Sequence, residues 1–330
     1  MLKTFNNCAH EWLISLTEAE DEVQLEFRLM ASMTAILGTN KVAVFVSKKE
    51  IAEQQVTLIS DNLTLLDFTP ETITHLYQKL QDNKVHTCLR SQIRISYIPI
   101  CHCDAVIGFV VAVHASRDTL DIKQFATAVN VLHIYANQQH VLLKSRLDPL
   151  TELLNRQTFD NKLMKVITGH DYNERRGQID EHCSWYLAML DIDNFKQVND
   201  QFGHVIGDEV LILIARLIKV NFRSQDYIFR YGGEEFAVLF KCAEEDTAVH
   251  ILERLREMIA EHIFPQVGNI TISSGFTELQ SSSLLSTLVQ QADRALYDSK
   301  QSGRNKVTNF RNIEHLHNIE CVVEHKHKLF

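Results

Sequence analysis

Little in this sequence would bend or staple the chain. Its 330 residues include only 4 prolines and 11 glycines, which excludes a collagen-like or low-complexity polymer, where those residues dominate. No apolar run is long enough to cross a bilayer: the most apolar stretch, Val106 to Val113, has the length of a strand and is followed at once by His114. The opening residues, MLKTFNNCAHEW, contain no apolar signal region, so nothing in them directs export. The 7 cysteines are odd in number and scattered, which excludes a disulfide framework and points to a reduced, cytoplasmic compartment. Positive charge is also short, with a formal net charge of -9. That balance argues against non-specific binding to nucleic acid or an anionic membrane. A triphosphate ligand stays open, because nearby lysines and arginines decide it rather than the total.

What is present is enough apolar material for a sizeable core: 45% of the residues are hydrophobic, and the length suggests two domains. Val23, Phe27, Met30, Thr34 and Leu37 recur at helical spacing and stop before Gly38. Lys41 to Ser47 and Gln55 to Ser60 read as strands, Glu71 to Leu80 as a helix, and Val85 to Leu89, Ile93 to Ile100 and Ala105 to Ala115 as three further strands. From Asp121 to Leu147 a long helical pattern carries Phe125, Val129, Leu132, Ala136 and Leu143 on a near-heptad stripe. An amphipathic helix covering a sheet and a two-helix stalk passing a signal both fit that stripe, and the segments that follow favour the signalling stalk; Gln139 interrupts the stripe, so a long stable coiled coil is not expected.

Asp148-Pro149-Leu150-Thr151 breaks the helix, with Asp148 placed to cap a new one and Pro149 suited to its first position. Helix and strand patterns then alternate to about Phe310. Residues 311–330 form a polar tail with His315, His317, His325 and His327, read as disordered or as a surface extension rather than as a metal site. The resulting division is 1–120, a connecting helix over 121–147, 148–310, and the tail.

The chemistry concentrates in two places. Arg230-Tyr231-Gly232-Gly233-Glu234-Glu235-Phe236 lies between two strand patterns, and its paired glycines predict a tight hairpin with positive φ angles. A solvated hairpin would explain that motif taken alone. Upstream, the apolar strand Tyr186 to Leu190 ends in Asp191-Ile192-Asp193-Asn194-Phe195-Lys196. Alternation puts Asp191 and Asp193 on one face at a strand end, where carboxylates suit Mg²⁺. Lys196 falls at a helix start, whose amides also attract phosphate. Helix capping is the plainer role for the aspartates; a second acid pair on a hairpin favours a divalent-metal site.

Four segments in order, DPLT with Asn155-Arg156, DIDNFKQVNDQFGHVIGDEVL (191–211), RYGGEEF (230–236) and ALYDSKQSGRN (295–305), together resemble the signatures of the GGDEF family of diguanylate cyclases. Glu152 and Leu154 depart from the pattern, at positions expected on a structural helix. The resemblance implies an α+β, palm-like nucleotidyl-cyclase fold with an antiparallel sheet flanked by helices. It implies an enzyme that condenses two GTP into cyclic di-GMP and two pyrophosphates. Asp191, the Ile192 carbonyl and Glu234 would hold Mg²⁺, with Mn²⁺ as a substitute. Asn199 and Asp208 would read guanine, with His204 and Leu211 near the nucleoside. Lys196, Lys300 and Arg304 would engage phosphates together with the amides around Phe195. Lys196, Glu234 and Glu235 would carry the catalysis, and which glutamate eases deprotonation of the 3′-hydroxyl is open. One domain supplies one half-site, so a homodimer is implied. Arg223, Asp226 and Arg254 match the family's product-inhibition site; an ordinary surface Arg–Asp pair would also explain the first two.

The order of elements in the first 145 residues, ending in PICHCDAVIGFVVAVHA and a long helix, resembles a GAF domain, with a PAS domain as the alternative. The expected architecture is therefore a GAF-like α/β sensor with an unknown ligand ahead of the cyclase domain. Cys101, His102 and Cys103, with His86 and Cys88 on the preceding strand, could build a metal or haem site, although cysteine is more often a small buried hydrophobe. On a strand, Cys101 and Cys103 would share one face and His102 the other. A non-catalytic cyclic di-GMP receptor using the Arg223–Asp226 motif is the alternative function, and the intact acids Asp191, Glu234 and Glu235 argue against it.

Overall fold

The structure, a computed structural model of the chain, describes residues 11–48, 55–61, 69–90, 92–115, 121–169, 183–280 and 284–314. They fall into two compact units that divide between Ser145 and Arg146.

The first unit is built on a five-stranded antiparallel sheet in the order β2-β1-β5-β4-β3, where β1 is Val42–Lys48, β2 Gln55–Asp61, β3 His86–Arg90, β4 Ile93–His102 and β5 Ala105–Ala115. Alternation along β1 sends Val42, Val44 and Val46 to one face, and Ala43 and Phe45 to the other. The helices α1 (Glu22–Leu37) and α3 (Ile122–Ser145) cover the first face; α2 (Pro70–Lys79) packs Ile73, Leu76 and Tyr77 on the second. With both faces covered, β5 is apolar nearly throughout rather than alternating.

Asp21 caps α1 by accepting the Gln24 backbone N–H at 2.8 Å, and Gly38 ends it at φ 63°. The helix buries Leu25, Leu29, Met33 and Ile36. Val23 and Phe27, expected on the buried stripe, are instead exposed, Phe27 to 75%. The sheet takes the neighbouring apolar line, which has four large side chains at spacings of four, four and three. Along α3, Ala128, Val131, Leu132, Tyr135 and Ala136 are buried in the same core and Gln139 is buried as well, so this stretch acts as a covering helix of the first unit. Toward its end Val141 and Leu143 are exposed.

The second unit carries a six-stranded sheet in the order β13-β12-β7-β9-β8-β6. Its strands are β6 Leu154–Asn155, β7 Ser184–Ile192, β8 Tyr227–Arg230, β9 Glu235–Cys242, β12 Ile272–Glu278 and β13 Val307–Asn309. The four central strands are antiparallel, while β6 and β13 join parallel at the edges. A separate small hairpin pairs β10 (Ile263–Phe264) with β11 (Gly268–Asn269). One face packs Tyr186, Ala188, Leu190 and Ile192 of β7 against α6 (His204–Asn221) and α7 (Glu245–Glu261), with Phe195 and Val198 of α5 (Phe195–Phe202) joining. The other packs Leu187 and Met189 against α4 (Arg156–Ile167) and α8 (Leu285–Gln301). Gly275 of β12 allows α8 to approach, since a Cβ there would strike the backbone of Ala292, Ala295 and Leu296. This is the expected antiparallel sheet flanked by helices.

Asp148-Pro149 does not open a helix. One Asp148 oxygen accepts from the Thr151 N–H (2.8 Å) and hydroxyl (2.7 Å), closing a turn. Asn155 instead caps α4 by accepting the Thr158 N–H at 3.0 Å. Glu152 consequently lies in the turn at φ 54°, and Leu154 lies on β6 rather than on a helix. The start of the polar tail is anchored, with Arg311 donating to Glu245 at 2.8 Å. His315, His317, His325 and His327 lie outside the described residues.

Candidate active site

The site forms where β7 runs out. Parity along β7 aims Asp191 at the face covered by α8, and Lys300, in the last turn of that helix, meets it at 2.6 Å. Asp191 is only 5% exposed. Burial pushes its carboxyl above the usual range; Lys300 opposes that shift, and the charges of Glu235 and Asp193 add to it. Asp193 has a different fate from the one alternation suggested. It lies past the strand end, accepting from the Thr271 and Ser273 hydroxyls at 2.7 Å each and from the Asn305 backbone N–H at 2.9 Å. With both oxygens engaged by protein donors, Asp193 pins the β7 corner to β12 and to the loop after α8.

The hairpin between β8 and β9 closes beside this corner. Asp191 and Glu235 are cross-strand partners, and the Ile192 N–H donates to the Glu234 carbonyl at 3.3 Å. Burial raises the Glu234 carboxyl, and the Asp191 charge raises it further against the pull of Lys300. Neither Gly232 nor Gly233 adopts the left-handed φ expected from the sequence. At Gly232 a Cβ would meet the end of the Glu235 side chain, whereas Gly233 faces open space. Arg230 holds the turn from below. Its Nε and Nη2 donate to the Gly233 carbonyl at 3.2 and 2.9 Å, and Nη1 donates to both Asp148 oxygens at 3.0 and 3.2 Å. Burial alone would raise Asp148, but the Thr151 and Arg230 bonds prevail and hold it below the usual range.

The remaining candidates group at two helix ends. Phe195 is buried at the start of α5, Lys196 is exposed beside it, and Asn199 follows one turn later. On α6, His204 and Asp208 are exposed while Leu211 is buried. Gly207 joins the two helices closely, since any Cβ there would collide with the Asn199 carboxamide. Arg304, at φ 65°, is exposed in the loop after Lys300.

Arg223 and Asp226 are tied through backbone: the Arg223 N–H donates to an Asp226 oxygen at 2.8 Å, and the Arg223 side chain is exposed. Burial raises the Asp226 carboxyl. Arg254 reaches the same stretch, donating to the Asn221 side chain and carbonyl at 2.8 and 2.7 Å.

In the first unit, His86 is engaged by Asp82 at 3.1 Å, and Cys101 is buried with its thiol against Asn83. Among the described residues, no three or more His, Cys, Asp or Glu side chains are arranged to hold a metal ion, and no helix is long and apolar enough to cross a membrane.

Residues 145–306 match the family described as "Diguanylate cyclase, GGDEF domain". The chain is 32% identical over 257 residues to Diguanylate cyclase A of Treponema denticola, covering 74% of this chain and 66% of that protein. It is 33% identical over 188 residues to Diguanylate cyclase DgcZ of Escherichia coli K12, covering 56% of this chain and 59% of that protein. The chain carries a GGDEF domain. A solved structure of the coiled coil and GGDEF domain of DgcB from Caulobacter crescentus, in complex with c-di-GMP, is 29% identical with a TM-score of 0.51, covering 58% of this chain and all of that one. The chain spans between 59% and 66% of the length of the two curated relatives described.

Within the GGDEF domain, three contributors escaped the sequence reading. Arg230 and Asp148 form a clamp under the hairpin, Gly207 makes room for Asn199, and Asp193 is an anchor. The charged pair at Asp148 and Arg230 was visible, each within a signature, but their contact joins residues far apart in the chain.

Proposed function

We propose that this protein is a dimeric diguanylate cyclase that joins two GTP molecules into cyclic di-GMP and releases two pyrophosphates. The observation that carries this reading is the crowding of Asp191, Glu234 and Glu235 at one strand end with Lys300 as the cation at Asp191. Burial raises both the Asp191 and the Glu234 carboxyl, the charge of Glu235 adds to the first and that of Asp191 to the second, so ionising them together is costly and a divalent cation offsets that cost. The donors are hard oxygens, as Mg²⁺ or Mn²⁺ requires, and Asp191, Glu234 and the Ile192 carbonyl would hold the ion. Such an ion neutralises triphosphate charge and polarises the phosphoryl oxygens.

The chain's own residues supply the rest. Lys196 and Arg304 are exposed cations flanking the corner and bind phosphate, as does Lys300 when its partner shifts to the cation. Asn199 donates to guanine O6, and Asp208 accepts the ring N–H and exocyclic amine. Glu235, or Glu234, takes the proton of the 3′-hydroxyl that attacks the α-phosphorus of the other GTP. Two half-sites must face each other, so assembly of two protomers sets the rate. Arg223, Asp226 and Arg254 form a product-binding site that slows turnover. The N-terminal unit is a GAF-like sensor of an unknown small ligand, read from its helix-covered five-stranded sheet, and the protein works in the cytoplasm.

Purified protein with GTP and Mg²⁺, analysed by chromatography, tests the reading. Cyclic di-GMP and pyrophosphate in a one-to-two ratio are expected, with specific activity rising with protein concentration as dimers form. A cyclic di-GMP receptor would bind the dinucleotide and make none.

A further inference from the structure

The β4–β5 hairpin closes on a two-residue loop, Cys103 and Asp104, with φ values of 47° and 64° and His102 paired with Ala105. Loops of this kind favour Asn and Gly, so backbone ease does not account for a cysteine there. Alternation would set His102 and Cys103 on opposite faces. The strand ends at His102, and the left-handed turn instead brings the Cys103 Sγ to 3.5 Å from the His102 Nε2. The other ring nitrogen, Nδ1, lies 3.1 Å from the Asn137 Oδ1 on α3. An amide oxygen only accepts, so Nδ1 carries the hydrogen in that contact, and Nε2 faces the thiol as the nitrogen placed to take its proton. His140, also on α3, stacks on the His102 ring with centroids 4.3 Å apart and fixes its plane. Cys103 is exposed. Nucleophile, base and orienting amide therefore stand in sequence.

We propose that Cys103 is a nucleophilic thiol, with His102 as its base and Asn137 as a positioning residue, and that it is a site of reversible modification by small-molecule disulfides. His102 Nε2 takes the thiol proton, and the thiolate attacks one sulfur of the incoming disulfide. A bond forms between Cys103 and that sulfur, the incoming S–S bond breaks, and the departing thiolate recovers the proton from His102. The incoming disulfide is itself the oxidant and is half reduced in the exchange. Cys101, two residues earlier, is the internal contrast: it is buried, burial pushes its thiol up, and it faces Asn83. An adduct on Cys103 crowds the His102–His140 stack, and so bears on α3, the last helix before Arg146.

The test uses the full chain under native conditions with 5,5′-dithiobis(2-nitrobenzoate) as the disulfide, the modified sites being located by peptide mass spectrometry. Cys103 is expected to react at least about tenfold faster than the half-buried Cys183 near pH 7. His102→Gln keeps the bulk without a basic nitrogen; it should slow Cys103 about tenfold and move its rise in rate to higher pH. Asn137→Ala touches neither the sulfur nor Nε2, and should shift the same profile in the same direction by less. This second variant decides the matter if His102→Gln does not fold. Equal rates for Cys103 and Cys183 in the wild-type chain, or a rate and pH profile unchanged by the folded variants, would overturn the proposal.

Discussion

The two sheets of this molecule are both covered on two faces by helices, yet they treat charge in opposite ways. In the first unit, the buried polar side chains among the described residues are Ser32, Ser96, His114 and Gln139, none of them a carboxylate. In the second, Asp191 and Asp193 are both buried at the end of a central strand. A buried carboxylate is costly unless donors replace its water. Asp193 has three such donors and serves structure. Asp191 has Lys300 and two nearby acids, and its preference for a proton persists. A buried carboxylate whose pKa stays raised beside its cation is the kind of group that gathers at functional sites, and among the described residues the first sheet buries no carboxylate.

The largest effect should come from removing the acids on the hairpin. Glu234→Ala and Glu235→Ala should each lower conversion of GTP by on the order of 10²–10⁴-fold, with the thermal midpoint nearly unchanged, because the hairpin tip is not part of the core. Retained turnover in both would remove the contrast between the sheets.

Asp193→Ala should sharpen it from the other side. Three donors lose their acceptor, so urea denaturation should show a loss of about 2–4 kcal/mol. A silent substitution would mean that water serves the corner equally well.

Smaller and more selective effects should follow at the periphery. Asp208→Ser replaces a carboxylate by a short neutral hydroxyl, and should reduce preference for GTP over ATP by about 1.5–3 kcal/mol in competition assays. Unchanged preference would show that Asp208 does not read the base. Arg223→Ala should leave the initial rate within about twofold while weakening inhibition by added cyclic di-GMP, because it removes a phosphate grip away from the hairpin. An exposed Arg–Asp pair without a ligand would contribute almost nothing, and progress curves identical to wild type would assign the pair that role.

The sequence exposed these elements unevenly, for physical reasons. Long elements declared themselves, β5 as an apolar run of strand length and α1 through its periodicity, with its end marked by Gly38. The buried face of α1 did not, because two apolar lines run along it and only the sheet chooses between Val23–Phe27 and Leu25–Leu29. The cap expected at Asp148 falls to Asn155 instead, and Arg230, 82 residues away, draws Asp148 into the clamp under the hairpin. The two glycines suggested positive φ, which neither adopts; a Cβ at Gly232 would meet the end of the Glu235 side chain, a contact between side chain and turn that propensity does not encode. Among the acids, alternation grouped Asp191 with Asp193. Their separation depends on Thr271, Ser273 and Asn305, donors that arrive from distant segments.

The cation site proposed for a nucleoside triphosphate lies at the buried end of β7. A carboxyl that binds protons more tightly when folded weakens the fold as pH rises from its unfolded range through its folded value. Asp191 and Glu234 are both shifted that way, so near pH 7 their charge is a cost that a cation offsets. The most direct test is calorimetric titration of a non-hydrolysable GTP analogue into wild-type protein and Asp191→Asn, with and without Mg²⁺, across a pH series. Mg²⁺ should strengthen binding to wild type at pH 7, lose that effect as pH falls into the carboxylate range, and make little difference to Asp191→Asn at any pH. The same Mg²⁺ dependence in both proteins would contradict the account.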